Sequence, residues 1–402
     1  MGRAKQHWEE INERGWNTPD GFVCVDCVED DHLKVLIKAN PVSKCCSCCG
    51  KKRRKLFAAP IEDLMPSIEG AVRRRFSDPD SAGVPWDGGP VDEGVFTLDM
   101  LFTLPLEGNH KFIEVVEGCF HNQKWVDAAD GLWLSPTRHE VLSDTWQRFV
   151  YTVKHRTRFF FQHESTQNTG NDWDYADPPG QLLQQVGELV GDIGLIRQIS
   201  PAKTLYRARV RTGNKWEPNA QELGAPPEER ASAGRMNPAG ISYLYTALEE
   251  GTALAETASV PPLEVVVATF ATSRELLVLD LCALPNVPSQ FDLSKKHQID
   301  QIAFLHEFVS EISQPVSKHD DERIAYVPTQ VVSEWFAQVF RPQGEDSRLD
   351  GIVYPSAVRP GGKNLVLFPH GDRWERTFDA VSYVDSKELN LLNWAELTKL
   401  IA

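Results

Sequence analysis

TLYRARV, residues Thr204–Val210, alternates: Tyr206, Ala208 and Val210 fall on one side, and Arg207 and Arg209 fall on the other. That is the period of a strand. LEVVVATF (263–270) and ELLVLDL (275–281) are aliphatic, β-branched runs of strand length, and GIVYPS (351–356) and NLVLF (364–368) are two more. Between these pairs, VPTQVVSEWFAQVF (327–340) predicts a helix with Val327, Val331, Trp335 and Val339 on one face and Pro328 in its first turn. Strands mixed with helices from about residue 182 onward predict an α+β domain with a largely antiparallel sheet.

Upstream the pattern differs. Residues 164–180 (ESTQNTGNDWDYADPPG) are polar and poor in aliphatics, which suits a linker. Before it, residues 56–163 read as a small helical bundle. Ile61, Leu64, Ile68, Val72 and Phe76 make one apolar stripe at spacings of three and four, and short helices are expected near 99–104 and 112–119. A longer helix near 143–161 would carry Trp146, Phe149, Val150, Val153 and Phe160. Arg148 with His155, and Arg158 with His163, resemble the Arg–His ribonuclease motif of the HEPN helical-bundle family, in which His serves as base and Arg holds phosphate. Three arginines and two histidines in one short segment also supply such spacings by chance.

Six of the eight cysteines lie between positions 24 and 49. Cys24-Val-Asp-Cys27 is one knuckle, and KCCSCCG (44–50) offers a second as either Cys45/Cys48 or Cys46/Cys49. Two such pairs close a four-thiolate zinc site, which is structural because no coordination position stays open. Cys46 and Cys49 are preferred with Cys24 and Cys27, because Gly50 allows the tight turn that follows a knuckle. The basic run KKRRK (51–55) reads as a solvated face.

With 402 residues, 41% hydrophobic and 25% charged, the chain has the composition of a globular protein of two or three units. A formal charge of −15 disfavours broad nucleic-acid binding. No apolar run reaches membrane-spanning length, and the N-terminus lacks a signal-peptide core, so a soluble cytoplasmic protein without a membrane partner is expected.

LYRAR, GRMNPAG, YLYTALEEGTALAE, a helix containing Thr-Gln, and DGIVYPSAVRPGGKNLVLF follow one another in an order that resembles the RES domain family. The likeness covers about residues 182–387. The knuckle and helices ahead of it are similar, more loosely, to the HEPN-like segment fused before some RES domains. The resemblance implies a mixed α/β fold like that of ADP-ribosyltransferases, NAD as substrate, and a bacterial toxin paired with an Xre-type or other antitoxin. It assigns catalytic roles to Arg207, Tyr245 and Glu256, and substrate-binding roles to Arg235, Ser356 and Asn364. Breaking the nicotinamide–ribose bond develops positive charge on the sugar, which a carboxylate such as Glu256 stabilises, while arginines hold the pyrophosphate. Taken without the family, Glu256 is an ordinary helix acid. No Gly-rich dinucleotide fingerprint is present, so NAD would be consumed and not used as a hydride carrier.

The expected organisation is therefore a zinc-knuckle segment (1–55), a helical domain (56–163), a linker (164–181), the RES domain (182–387) and a C-terminal tail helix (388–402). The expected reaction is NAD cleavage with water, phosphate or a protein as acceptor. The alternatives are a HEPN-type ribonuclease toxin and a non-catalytic zinc-and-helix sensing module. The oligomeric state is open, with a homo-oligomer among the options.

Overall fold

Phe22–Cys24 and Ala58–Pro60 pair antiparallel as β1 and β2, setting Cys24 opposite Ala58 at the base of the cysteine knuckles. The computed structural model describes residues 14–87, 89–163, 176–211, 216–257, 260–314, 321–342, 344, 347–370, 379–391 and 393–401. The chain divides into two units, Met1–Val141 with Asn286–Ala303, and Leu142–Pro285 with Phe304–Ala402.

In the first unit, the helix Asp31–Ala39 is capped by Asp30, whose carboxylate accepts the Leu33 amide at 2.9 Å. Ile61, Leu64, Ile68, Val72 and Phe76 are all buried, as their spacing predicts. They are shared among a 3-10 turn (Ile61–Leu64), a helix (Met65–Arg75) and the strand β3 (Phe76–Ser77). Helices at Thr97–Thr103 and His110–Glu117 stand where two were expected. A second small sheet, ordered β3-β5-β4, adds β4 (Val95–Phe96) and β5 (Lys124–Asp127). Strands of two to four residues are too short to show alternation, so a helical bundle was all the pattern could indicate.

The segment Asn286–Ala303 is also part of this unit. Phe291 is buried in its core, and Arg74 pairs with Asp300 at 3.0 Å. Leu293 packs so closely that a Cβ on Gly70 would come within 2.4 Å of it.

The helix Arg138–His155 runs from one unit into the other. Its Trp146, Phe149 and Val153 are buried with Phe304, Phe308 and Phe336 in the core of the second unit, and not within a separate N-terminal bundle. The sequence places this stripe correctly but does not show which distant helices cover it. Phe160 lies beyond the helix and is 69% exposed, so it is not part of the stripe.

The second unit is built on an eight-stranded mixed sheet ordered β13-β9-β7-β8-β12-β11-β10-β6. The strands are β6 (Ile196–Ile199), β7 (Thr204–Val210), β8 (Leu244–Ala247), β9 (Leu263–Thr272), β10 (Leu276–Asp280), β11 (Gly351–Pro355), β12 (Lys363–Leu367) and β13 (Val381–Leu391). Among the described residues of this sheet, β10 and β11 are the one parallel pair. Alternation sends neighbouring residues to separate cores. Leu205, Val266, Phe270, Val353 and Leu365 share one cluster, while Ile352, Tyr354 and Val366 join the larger one beneath helices Pro179–Asp192 and Val327–Gln338. Tyr206, Ala208 and Val210 belong to a third cluster, with Ala253 and Leu254 of the helix Glu250–Thr257.

Asp350, just ahead of β11, ties β10 to the segment that follows β12. Its carboxylate accepts the Leu277 amide at 2.7 Å and Arg274 at 2.6 Å, and His370 Nε2 lies 2.8 Å away. Burial works against the charge, but His370, Arg274 and the Leu277 amide outweigh it and hold the carboxyl at about 2. Because the folded value lies below the unfolded one, this stabilisation is present above about pH 4 and is lost as pH falls toward 2. It amounts to roughly 2 kcal/mol. Urea midpoints measured between pH 5 and pH 2 should therefore fall more steeply for the wild type than for Asp350→Asn, and parallel curves would remove Asp350 as the cause. Among the described residues no helix is long and apolar enough to cross a membrane.

Candidate functional site

β7 pairs with β9 along its whole length but with β8 at a single point, Tyr206↔Ala247. Where β7 and β8 part, a cleft of about 310 Å³ opens. β7 supplies Tyr206, Arg207 and Ala208 to its wall, and β8 supplies Tyr245, Thr246 and Ala247. The helix Glu250–Thr257 adds Ala253, Glu256 and Thr257, and the other walls are Arg235, Tyr354 and Asn364.

Glu256 stands in the last turn of its helix, which Thr257 Oγ1 anchors to the Ala208 carbonyl at 3.2 Å. Its Oε1 accepts from Ser356 Oγ at 2.7 Å and from Asn364 Nδ2 at 2.6 Å. No bond to Oε2 is seen among the described residues, so two donors fix one oxygen of the carboxylate and the other meets none there. Ser356 does not itself line the cleft; it reaches the site through Glu256. Its hydroxyl also accepts the Val358 and Arg359 amides, at 3.3 and 3.0 Å.

Arg207 is part-buried, and its Nη1 is sealed from solvent without a hydrogen-bond partner among the described residues. Burial, helped by the nearby charge of Arg209, lowers the guanidinium to about 10, so it is still a cation at neutral pH. Leaving a buried polar atom of a cation unpaired costs stability.

Tyr245 lines the cleft, and its hydroxyl is engaged on the neighbouring turn. Its hydroxyl accepts the Met236 amide at 3.0 Å and donates to Asn237 Oδ1 at 2.8 Å, and burial pushes it up to about 12. The hydroxyl is committed to holding the Gly234–Asn237 turn, leaving only the ring for a ligand. Gly234 permits this approach, since a Cβ there would lie 2.8 Å from the Tyr245 oxygen. Arg235, on the same turn, donates to the Ser313 carbonyl and lies 6.0 Å from the Tyr326 ring.

The structure thus brings Arg207, Arg235, Tyr245, Glu256 and Asn364 to one cleft, with Ser356 behind Glu256. Two residues not assigned roles from the sequence belong with them. Tyr354 lines the wall one strand beyond Asn364. Asn237 holds Tyr245 and donates to the carbonyls of Ser232, Pro238 and Ile241. Their only signal was position, inside the YPS and GRMN blocks.

The RES domain family matches residues 204–384, the stretch that contributes every wall of this cleft. Residues 204–384 form a RES domain. Ahead of it, HEPN/RES N-terminal domain 1 matches residues 39–167. Searches of curated proteins and of solved structures returned no match.

In the N-terminal match, Arg148 and His155 lie on the helix Arg138–His155. Arg158 lies past its end, and the side chain of His163 is outside the described residues.

The N-terminal unit holds a different chemistry. The sulfurs of Cys24, Cys27, Cys46 and Cys49 all lie within 4.8 Å of one another. Three of the separations are 3.7 Å (Cys24–Cys27), 3.8 Å (Cys24–Cys49) and 3.7 Å (Cys27–Cys46). A tetrahedron with metal–sulfur bonds near 2.3 Å has edges of about 3.8 Å, so the donor set fits a metal ion. Gly50 takes φ +71°, and its amide donates to the Cys46 carbonyl at 3.0 Å, closing the second knuckle. Burial raises Cys24 to about 11 and Cys27 further. At Cys46 burial is outweighed by the amides of Cys49 and Cys48, which bring it to about 7.

Proposed function

We propose that the RES domain cleaves the nicotinamide–ribose bond of NAD, with Glu256 as the catalytic carboxylate. The observation that carries this reading is a carboxylate clamped at one oxygen by Ser356 and Asn364, in the same cleft as Arg207, whose Nη1 is buried without a partner. Bond breaking moves an electron pair onto the nicotinamide nitrogen, which leaves as a neutral base, and leaves positive charge on the ribose. The free oxygen of Glu256 stabilises that charge and orients the ribose hydroxyls. Arg207 binds the pyrophosphate through charge-assisted contacts, and Arg235 adds a second cation to the same cleft. The ring of Tyr245 flanks the nicotinamide. A volume of about 310 Å³ suits the nicotinamide–ribose end, with the adenosine outside it. The acceptor is water, phosphate or a protein side chain, whose oxygen bonds to the sugar carbon and whose proton goes to solvent. On the family resemblance, the protein acts as a bacterial toxin held by an Xre-type or other antitoxin. Mutation of Glu256 to glutamine tests the catalytic assignment, and its expected outcome opens the Discussion.

The metal in the cysteine cluster is zinc in this reading, supported by the all-thiolate donor set and tetrahedral edges. It supplies fold stability. Metal analysis of purified protein should find about one zinc per chain, lost in Cys24→Ser and Cys46→Ser but retained in Cys45→Ser and Cys48→Ser. Chelation should loosen the N-terminal unit. Zinc loss from the Cys45 and Cys48 variants instead would contradict the ligand set.

A further inference from the structure

The RES match ends at residue 384, yet the helix Trp394–Ile401 packs directly behind the helix that carries Glu256. Leu397 and Ile401 share an apolar cluster with Ala253, Leu254 and Ala208. We infer that this C-terminal helix is part of the working site, and that Arg359 is the positioning residue through which it holds Glu256. The inference rests on reading Glu256 as the catalytic carboxylate.

Arg359 connects three pieces. Its amide donates to Ser356 Oγ at 3.0 Å, the same hydroxyl that donates to Glu256. Its Nη1 donates to Thr252 Oγ1 at 2.9 Å, one turn before Glu256 on the same helix. Its Nε donates to the carbonyl of Ile401 at 2.7 Å, at the carbonyl end of the C-terminal helix, where a cation is favoured.

Glu249 extends the clamp to the other donor of Glu256. Its Oε2 accepts from Thr252 Oγ1 at 2.8 Å and from the Lys363 amide at 3.1 Å, and it lies 4.0 Å from Arg359 Nη1. Lys363 immediately precedes Asn364. Both donors to Glu256 are therefore set from one polar base formed by Arg359, Thr252 and Glu249.

The base is closely fitted. A Cβ on Gly251 would sit 3.0 Å from the Ile401 carbonyl, 3.1 Å from the Leu400 carbonyl and 3.3 Å from Arg359 Cζ. A Cβ on Gly362 would sit 2.6 Å from Thr252 Oγ1. A side chain at Gly362 would collide with Thr252, and one at Gly251 would press on the carbonyls that end the C-terminal helix. Arg359 does not line the cleft, and its influence must pass through the placement of Glu256. A displacement of about 1 Å at a reacting group costs on the order of 100-fold in rate.

The test uses the full-length protein with Arg359→Ala, Arg359→Lys, Gly251→Ala and the Arg359→Ala/Gly251→Ala double variant. NAD consumption and hydrogen exchange over residues 250–257 are both measured. Arg359→Ala should lower kcat by roughly 10- to 100-fold, with KM within about threefold and faster exchange in the Glu256 helix. Arg359→Lys reaches one acceptor where arginine reaches two, so its kcat should be intermediate. Gly251→Ala should lower kcat in the same way, and the double variant should fall no further than the worse single one. An unchanged kcat in Arg359→Ala beside an active wild type overturns the inference, as does a loss seen only in KM. If the wild type leaves NAD intact, the NAD reading fails by itself. Exchange then still decides whether Arg359 and the C-terminal helix hold residues 250–257, and unchanged exchange overturns that too.

Discussion

Glu256→Gln should lower NAD consumption by about 100- to 1,000-fold while leaving the protein folded. Glutamine is nearly isosteric, and its amide oxygen can still accept from Ser356 Oγ and Asn364 Nδ2, which now meet Glu256 Oε1. The oxygen replaced by an amide is then Oε2, the one facing the ligand. The carboxylate is lost where positive charge develops in the transition state, and the supporting contacts survive, so the fall should lie in kcat with little change in KM. Ser356→Ala removes only a donor to Glu256 and should cost less. Equal activity of Glu256→Gln and wild type would leave the cleft without its acid and send the search for chemistry elsewhere.

The second large effect is at Arg207, where function and stability should move in opposite directions. Arg207→Met should raise KM for NAD by roughly 10- to 100-fold, because a buried charge-assisted contact to phosphate is worth about 1.5–3 kcal/mol. The same substitution should stabilise the ligand-free protein. Nη1 is buried without a partner, and replacing an unpaired buried cation with an apolar side chain of similar length removes a penalty of about 1–3 kcal/mol. A thermal or urea midpoint above that of wild type, together with lost NAD affinity, is the expected pair of results. A destabilised Arg207→Met with unchanged KM would instead make Arg207 a structural residue.

What the sequence made legible follows from range. Stripes and alternations are local, so the helix Met65–Arg75 and the strands β7, β9, β11 and β12 could be read from spacing. The helix Arg138–His155 was readable as a helix, but its partners Phe304, Phe308 and Phe336 come more than a hundred residues later and no local pattern names them. The segment Asn286–Ala303 sits between two stretches of the second unit and packs in the first, which periodicity does not reveal. The site behaved likewise. Glu256, Ser356 and Asn364 meet across 100 and 108 positions, and only the family blocks linked them beforehand. Tyr245 was legible as a cleft aromatic, but the commitment of its hydroxyl to Met236 and Asn237 required the turn geometry. The positioning role inferred for Arg359 depends on a helix outside the family match, and its only sequence signal was its place in the DGIVYPSAVRPGGKNLVLF block.

The central claim is that this cleft breaks the bond between nicotinamide and ribose. The most direct measurement is to incubate purified full-length protein with NAD, with and without inorganic phosphate, and identify the products by mass. Free nicotinamide should be released, together with ADP-ribose, its phosphorylated form or ADP-ribosylated protein according to the acceptor, and Glu256→Gln should release almost none. Intact NAD, or cleavage at the pyrophosphate to two mononucleotides, would contradict the account.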